Sequence, residues 1–297
     1  MKSFPNAFLP ASQAADCPHC GQCSRFDFQY NHRIYFRCPA CSLIHLVRKT
    51  EEADDPVSYY RENYYNDYVD DQSERSRTSL NDHILDLIGT NVNKGRLLDI
   101  GCGCGFFLSR ARSRGWDIRG VDPSEQSIAK AQELIGEAAS VGALQDVNNG
   151  GLFDVVTMIN VLDHLRSPDK ALASFREVLR PGGLLYLRFP NGFFHSSIIR
   201  MQARITDKPI LNRLLIFHEY AFTPPFIRRV LKEHGYEHIK IYNSRISGAA
   251  LYRQSPVLGL FGSGFNGFLW LIVSFLKHVS DGRWLLGPSL EVTAVKR

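Results

Sequence analysis

The sequence predicts a doubly wound, mostly parallel α/β domain preceded by a small cysteine-rich module. Three observations carry this. From about Ser76 onward, apolar strand-like runs alternate with amphipathic helical patterns. One of those strands passes into a helix through glycines, in Leu97-Leu98-Asp99-Ile100-Gly101-Cys102-Gly103-Cys104-Gly105-Phe106. Near the N-terminus, Cys17, Cys20, Cys38 and Cys41 form two C-x-x-C pairs.

The 297 residues suffice for one large domain and a small one. Hydrophobic residues at 44% and charged residues at 22% are ordinary for a globular chain, and nothing repeats at solenoid spacing. A net charge of +5 is too mild to argue for nucleic acid. The run containing Glu51, Glu52, Asp54, Asp55, Glu62, Asp67, Asp70, Asp71 and Glu74 would repel phosphates. No basic, apolar and small-residue leader pattern opens the chain. Seven cysteines, an odd number, suit a reducing compartment and a metal site better than a disulfide framework. The expected location is therefore cytoplasmic.

Residues 1–50 read as small hairpins, with Arg33-Ile34-Tyr35-Phe36-Arg37 as one strand. Residues 51–75 form an acidic linker carrying Tyr59, Tyr60, Tyr64, Tyr65 and Tyr68, a segment able to close over a site. The main domain is expected over 76–297. Leu80, Ile84, Leu87 and Ile88 share one helical face. Leu97 to Ile100 is a buried strand and Phe106 to Arg114 a helix. Ile118 to Val121 is the next strand, and Ser124 to Ile135 a helix that Ser124 caps. Phe153 to Ile159 is a strongly apolar strand. Ser167-Pro168-Asp169 opens a helix with serine as cap and proline in the first turn. Pro181-Gly182-Gly183 stops that helix, and Leu184 to Phe189 is a strand. Pro224 to His234 is helical; His238 to Tyr242 and Glu291 to Val295 are strands.

Between those last strands, Val257 to Phe275 is apolar but broken by Gly259, Gly262, Gly264, Asn266 and Gly267. A membrane span needs about 20 continuous apolar residues. The segment near 257–279 therefore reads as an apolar helical insertion, packed on the core or on a second copy of the chain. A membrane surface is the other partner such a helix allows.

Glycines where a parallel strand meets a helix let a ligand approach the main chain and its outward N–H groups. The spacing excludes a dinucleotide fingerprint, whose sixth position is glycine: counting from Gly101 it is Phe106, and from Gly103 it is Leu108. The pattern is instead acid-x-Gly-x-Gly-x-Gly, with Val121-Asp122 ending the following strand. A carboxylate there can accept hydrogen bonds from both ribose hydroxyls of an adenosine ligand.

These motifs resemble those of the class I S-adenosylmethionine-dependent methyltransferases, over roughly Ser76 to the C-terminus. The resemblance implies a seven-stranded Rossmann-like sheet and S-adenosylmethionine as cofactor. It places Asp99, Gly101, Gly103 and Gly105 along the cofactor loop and Asp122 on the ribose. Gly142-Ala143-Leu144 is similar to the segment flanking the adenine, which assigns Ala143 and Leu144. Phe153-Asp154-Val155-Val156 and Asn160-Val161-Leu162-Asp163-His164-Leu165 look like strand four and the loop beneath the cofactor, which assigns Asn160. The family often has glutamate where Asp163 stands. Leu179-Arg180-Pro181-Gly182-Gly183 matches the turn before strand five, and Phe189-Pro190-Asn191 its end.

Four thiolates from Cys17, Cys20, Cys38 and Cys41 can surround one Zn²⁺ tetrahedrally, and a closed shell of that kind is structural. Cys23 and His45 are nearby spares. A redox dithiol fits less well, because no thioredoxin-like βαβ pattern surrounds either pair. This arrangement resembles methyltransferases with an N-terminal zinc ribbon and a following Tyr-rich segment. Such proteins occur with carbohydrate, cell-envelope or natural-product biosynthesis, which implies a small-molecule or saccharide-type acceptor. His164, His195 and His218 are the candidate bases for an acceptor that must lose a proton. Two other functions share these features. One is RNA methylation, with Arg25, Arg33, Arg37, Arg48 and Lys49 on a ribbon clamp, against which the acidic linker argues. The other is a cofactor-binding module without turnover.

Overall fold

The computed structural model of the chain describes residues 14–31, 33–47, 74–147, 151–165, 167–206, 215–245 and 284–297. The linker tyrosines and the apolar segment near 257–279 lie outside the described residues. Described chain begins with four short strands: β1 (Ala15–Asp16), β2 (Cys23–Tyr30), β3 (Arg33–Arg37) and β4 (Ile44–Val47). They form the expected hairpins, each antiparallel to the next.

Helix α1 (Glu74–Gly89) buries Leu80, Ile84, Leu85 and Ile88, with Leu87 half-buried at the edge of that face. The alternation then runs β5 (Arg96–Ile100), α2 (Phe106–Ser113), β6 (Asp117–Asp122), α3 (Glu125–Ile135), β7 (Ala139–Val141) and β8 (Phe153–Ile159). It continues through α4 (Pro168–Val178), β9 (Leu179–Pro190) and α5 (Gly192–Ile205). A two-residue strand β10 (Tyr220–Ala221), helix α6 (Pro224–Glu233) and strands β11 (Tyr236–Asn243) and β12 (Ser289–Lys296) complete it.

Seven strands make one sheet in the order β11-β12-β9-β8-β5-β6-β7. Strands β5 to β9 pair in parallel, and β12 runs antiparallel to both its neighbours. The central strands are sealed on both faces, which is why Leu97, Leu98, Val155, Val156, Leu185 and Leu187 read as continuous apolar runs. The chain turns from β5 toward β6 on one side and returns to β8 on the other. That puts the switch point between β5 and β8, and the loops at the carboxyl ends of β5, β6 and β8 border the place where open α/β sheets bind ligands.

Two boundaries differ from the sequence reading. Ser167 stands at the N-cap of α4, but its side chain makes no capping bond; Pro168 in the first turn sets the helix instead. Helix α4 also ends at Val178, and Pro181-Gly182-Gly183 lies inside β9. Fully buried Leu179 pairs with Phe153, which draws the chain into the sheet early. The tripeptide is absorbed as a register shift, with Gly182 at φ 74°.

The N-terminal strands do not stand alone. Their sheet has the order β1-β2-β3-β4-β10, so a strand about 170 residues downstream forms its edge. Phe28, Tyr35 and Ile44 pack with Ile199, Leu215, Phe217 and Ala221. Cys17, Cys38, Cys41 and Leu43 are continuous with the main core through Tyr220, Phe222 and Phe226. The Phe222 ring stacks between Tyr220 and Phe226, at 5.8 and 5.6 Å, and meets Phe189 edge-on at 5.4 Å. Phe222→Ala is expected to cost about 3–5 kcal/mol. In urea denaturation, Cys41 thiol reactivity and far-ultraviolet circular dichroism should move to the same lower midpoint. Separate midpoints would mean that the two sheets do not share one core.

Candidate active site and cysteine cluster

The glycine loop is held by the strand beside it. The N–H groups of Gly101 and Cys102 both donate to the carbonyl of Val121, at 2.8 and 3.1 Å. Gly101, Gly103 and Gly105 have φ of 76°, 52° and 77°, a region only glycine enters without strain. A Cβ on Gly101 would strike the Val161 side chain, so this loop and the turn after β8 touch.

Asp122 anchors this arrangement. One carboxylate oxygen accepts from Gly103 N–H and the other from Ser124 N–H, each at 2.9 Å. Ser124 then caps α3 through its hydroxyl, which accepts from Ser127 N–H at 3.2 Å. Burial raises the Asp122 carboxyl above its ordinary range, and the two N–H donors work against that rise. Each carboxylate oxygen keeps a second lone pair for a ligand hydroxyl. Asp99 lies behind the loop and accepts from the Thr157 hydroxyl at 2.6 Å. Burial, with the neighbouring Asp122 charge, pushes it up to about 7. Ala143 starts the turn after β7, its N–H donating to Asp146 at 2.7 Å, and Leu144 follows in a short 3₁₀ turn.

Asn160 ends β8 in the left-handed region, at φ 58°. Its amide oxygen accepts from Arg188 at 2.5 Å. Beyond it, the turn Leu162–His164 carries Asp163, whose side chain is almost fully buried. The structure brings His164 and His218 together, with ring centroids 3.7 Å apart. Both Nε2 atoms converge on one oxygen of Asp163, at 3.8 and 3.7 Å. Neither oxygen of that carboxylate has a hydrogen-bond partner among the described residues. Burial, then the neighbouring His164, Arg33 and His195, hold His218 well below the ordinary histidine range, although 28% of its side chain still reaches solvent. His195 is placed differently. Its Nε2 meets the Pro288 carbonyl at 2.9 Å, its ring lies against Phe217, and burial lowers it to about 4.

At the other end of the small sheet, the four expected cysteines cluster with their Sγ atoms all within 4.8 Å of one another. The two knuckles repeat one geometry. Gly21 N–H bonds Cys17 carbonyl and Ser42 N–H bonds Cys38 carbonyl, both at 2.9 Å, with Gly21 and Ser42 at φ 69° and 65°. Cys17–Cys41 and Cys20–Cys38 sulfurs are 3.6 and 3.5 Å apart. Zn–S bonds of about 2.3 Å require edges of about 3.8 Å in a tetrahedron, so the donor set fits a zinc ion with little movement. Burial pushes the Cys38 thiol up, but the N–H groups of Cys41 and Ala40 and neighbouring thiols outweigh it and bring it to about 7. Cys23 and His45 do not join the cluster; His45 meets the Ser24 hydroxyl at 3.0 Å. Arg37, one of the basic residues near the knuckles, is paired with Asp27 at 3.0 Å.

A family model described as a methyltransferase domain matches residues 72–241, more than half of the chain. The chain belongs to this methyltransferase family. Its Rossmann-like sheet agrees with the resemblance to the class I S-adenosylmethionine-dependent enzymes. A curated relative, a ubiquinone biosynthesis O-methyltransferase of Rhizobium rhizogenes, is 31% identical over 146 residues, 47% of this chain and 59% of the relative. The chain spans about three-fifths of the length of the first such relatives it matches. Among solved structures, a SAM-dependent methyltransferase from Archaeoglobus fulgidus shares the fold at TM-score 0.52 and 17% identity, covering 79% of this chain and 100% of that one. The magnesium protoporphyrin IX methyltransferase of Synechocystis, with bound SAH, does so at TM-score 0.52 and 14% identity, covering 81% and 97%.

Sequence reasoning missed three residues that shape the candidate site. Thr157 and Arg188 carried a signal, since a hydroxyl and a guanidinium inside otherwise apolar buried strands need partners. Tyr35 carried none: its hydroxyl donates to the backbone carbonyl of His218 at 2.8 Å, across 183 residues of sequence. Asp99 sets a pH dependence. Its folded-state pKa of about 7 exceeds the ordinary 3.8, so between these values the folded protein binds more protons and this residue lowers stability as pH rises. Asp99→Asn keeps an acceptor for Thr157 and should flatten that fall in melting temperature across the window. An unchanged pH profile would show that Asp99 ionises normally.

Proposed function

We propose that this chain is an S-adenosylmethionine-dependent methyltransferase acting on a small-molecule or saccharide-type acceptor, with a structural Zn²⁺ in its four-cysteine cluster. The observation that carries the reading is the glycine loop tied to Asp122 at the carboxyl ends of β5 and β6. Three left-handed glycines and a buried carboxylate with spare lone pairs suit an adenosine ligand. The curated relatives, named for ubiquinone biosynthesis, support a small acceptor. When bound, S-adenosylmethionine supplies an electrophilic methyl group on its sulfonium.

The residues divide the work. Gly101, Gly103 and Gly105 admit the ligand close to the main chain, and Asp99 backs that loop. Asp122 accepts from ribose hydroxyls and so fixes rotation about the sugar. Ala143 and Leu144 flank the adenine, and Asn160, steadied by Arg188, borders the loop beneath. Such positioning, which keeps acceptor, methyl and sulfur in line, supplies much of the acceleration in a displacement of this kind. A hydroxyl acceptor is activated at the Asp163, His164 and His218 cluster; His195, turned toward Pro288, supports the wall behind Phe217. The four cysteines hold the small sheet whose last strand follows directly on His218.

Isothermal calorimetry with S-adenosylhomocysteine tests the reading. Wild type should bind, and Asp122→Ala should bind at least about tenfold more weakly, the loss of a charge-assisted contact. No binding by wild type would sink the assignment. Metal analysis of protein purified under reducing, chelator-free conditions should find one zinc per chain. Cys38→Ser should lower that content; a wild-type chain without zinc would exclude the structural metal.

A further inference from the structure

We propose that Asp163, His164 and His218 form a second divalent-cation site, separate from the four-cysteine cluster, where the turn after β8 meets the segment entering β10. The three side chains come from two distant stretches, the turn after β8 and the segment entering β10. Their ligand atoms all lie within 4.8 Å of one another.

The spacing argues for an ion between them. An imidazole N–H bonded to a carboxylate lies about 2.7–2.9 Å away. Here both Nε2 atoms stop at 3.8 and 3.7 Å from the same oxygen, too far for hydrogen bonds. Bonds of about 2.0–2.2 Å to one ion set neighbouring donors about 3.4 Å apart in a tetrahedral shell. The two edges from Asp163 exceed this by a few tenths of an ångström. Asp163 is the second observation. The residue is 2% exposed, and neither carboxylate oxygen accepts a hydrogen bond from another described residue. A buried carboxylate left unpartnered is costly, and an ion removes that cost.

Two imidazoles and one carboxylate, with His164 and His218 15% and 28% exposed, leave coordination positions open toward solvent. Such a donor set with open positions suits Fe²⁺ or Mn²⁺. The role at the acceptor rests on the methyltransferase reading; the binding of the cation does not. A hydroxyl bound at an open position becomes more acidic. Its proton leaves to water, the oxyanion forms the new O–C bond, and the electron pair of the breaking C–S bond stays on sulfur. In this arrangement the two histidines serve as ligands.

The test is titration of the full-length, zinc-containing protein with Mn²⁺, followed by electron paramagnetic resonance. Wild type should remove one equivalent of Mn²⁺ from the free signal, with pulsed spectra showing nitrogen couplings from imidazole. Asp163→Asn and His218→Gln should lose the bound equivalent while keeping their zinc, which reports an intact fold. His164→Gln serves if either variant fails to retain zinc, and Asp117→Asn, an exposed substitution, should bind as wild type does. Free Mn²⁺ at millimolar concentration, bound Mn²⁺ without nitrogen couplings, or undiminished binding by Asp163→Asn would each overturn the site. Calorimetry with S-adenosylhomocysteine on the same sample separates the two readings. Cofactor-product binding without Mn²⁺ binding defeats only the cation site, and the converse defeats only the methyltransferase assignment.

Discussion

The two hydrogen bonds accepted by Asp122 are the constraint on which the rest of the site depends. One ties it to the glycine loop through Gly103 and the other to the start of α3 through Ser124. The carboxylate is 6% exposed, so its charge is carried by these N–H groups rather than by water. Removing it would leave two buried donors unsatisfied, at about 1–3 kcal/mol each. The same charge acts on Asp99, whose burial already disfavours ionisation. Two buried carboxyls thus lie close together with different partners: Asp122 held by two backbone N–H groups, and Asp99 by the Thr157 hydroxyl.

A second constraint comes from the small sheet. It is an N-terminal module by sequence order, yet β10 closes it, and β10 follows two residues after His218. Tyr35, fully buried in the middle strand β3, bonds the His218 carbonyl. Tyr30 does the same for the Leu215 carbonyl at 3.0 Å. The cysteine cluster and the segment carrying His218 are therefore tied to one small sheet.

What could be read from the sequence was whatever local physics decides. The strand Phe153–Ile159 has the boundaries its apolar run indicates, since a strand covered on both faces reads as a nearly continuous apolar run, interrupted here by Asp154 and Thr157. Ser124 caps as expected because cap and helix are adjacent. The four cysteines meet because each knuckle is a local turn, and one hairpin brings the two together. Where tertiary pairing overrode local chemistry, the reading failed. Pro181-Gly182-Gly183 looks like a stop, but the pairing of Leu179 with Phe153 makes it a bulge within a strand. Ser167 looks like a cap and is only placed as one. Two-residue β10 has no periodicity to detect, so neither the closed small sheet nor its hold on His218 was legible.

The three candidate histidines show why residue type alone cannot rank such groups. Each carries the same imidazole, and the sequence offers no reason to separate them. The fold separates them by what faces each ring. His195 spends Nε2 on the Pro288 carbonyl and lies in apolar surroundings that keep it neutral. His164 and His218 lie ring against ring beside a carboxylate that neither reaches. Aspartate instead of glutamate at position 163 matters here, because the shorter side chain gains no extra methylene with which to close the distance to either nitrogen. The buried acid and its two imidazoles therefore remain a set of three donors around one small volume, which the partly exposed imidazoles open to solvent.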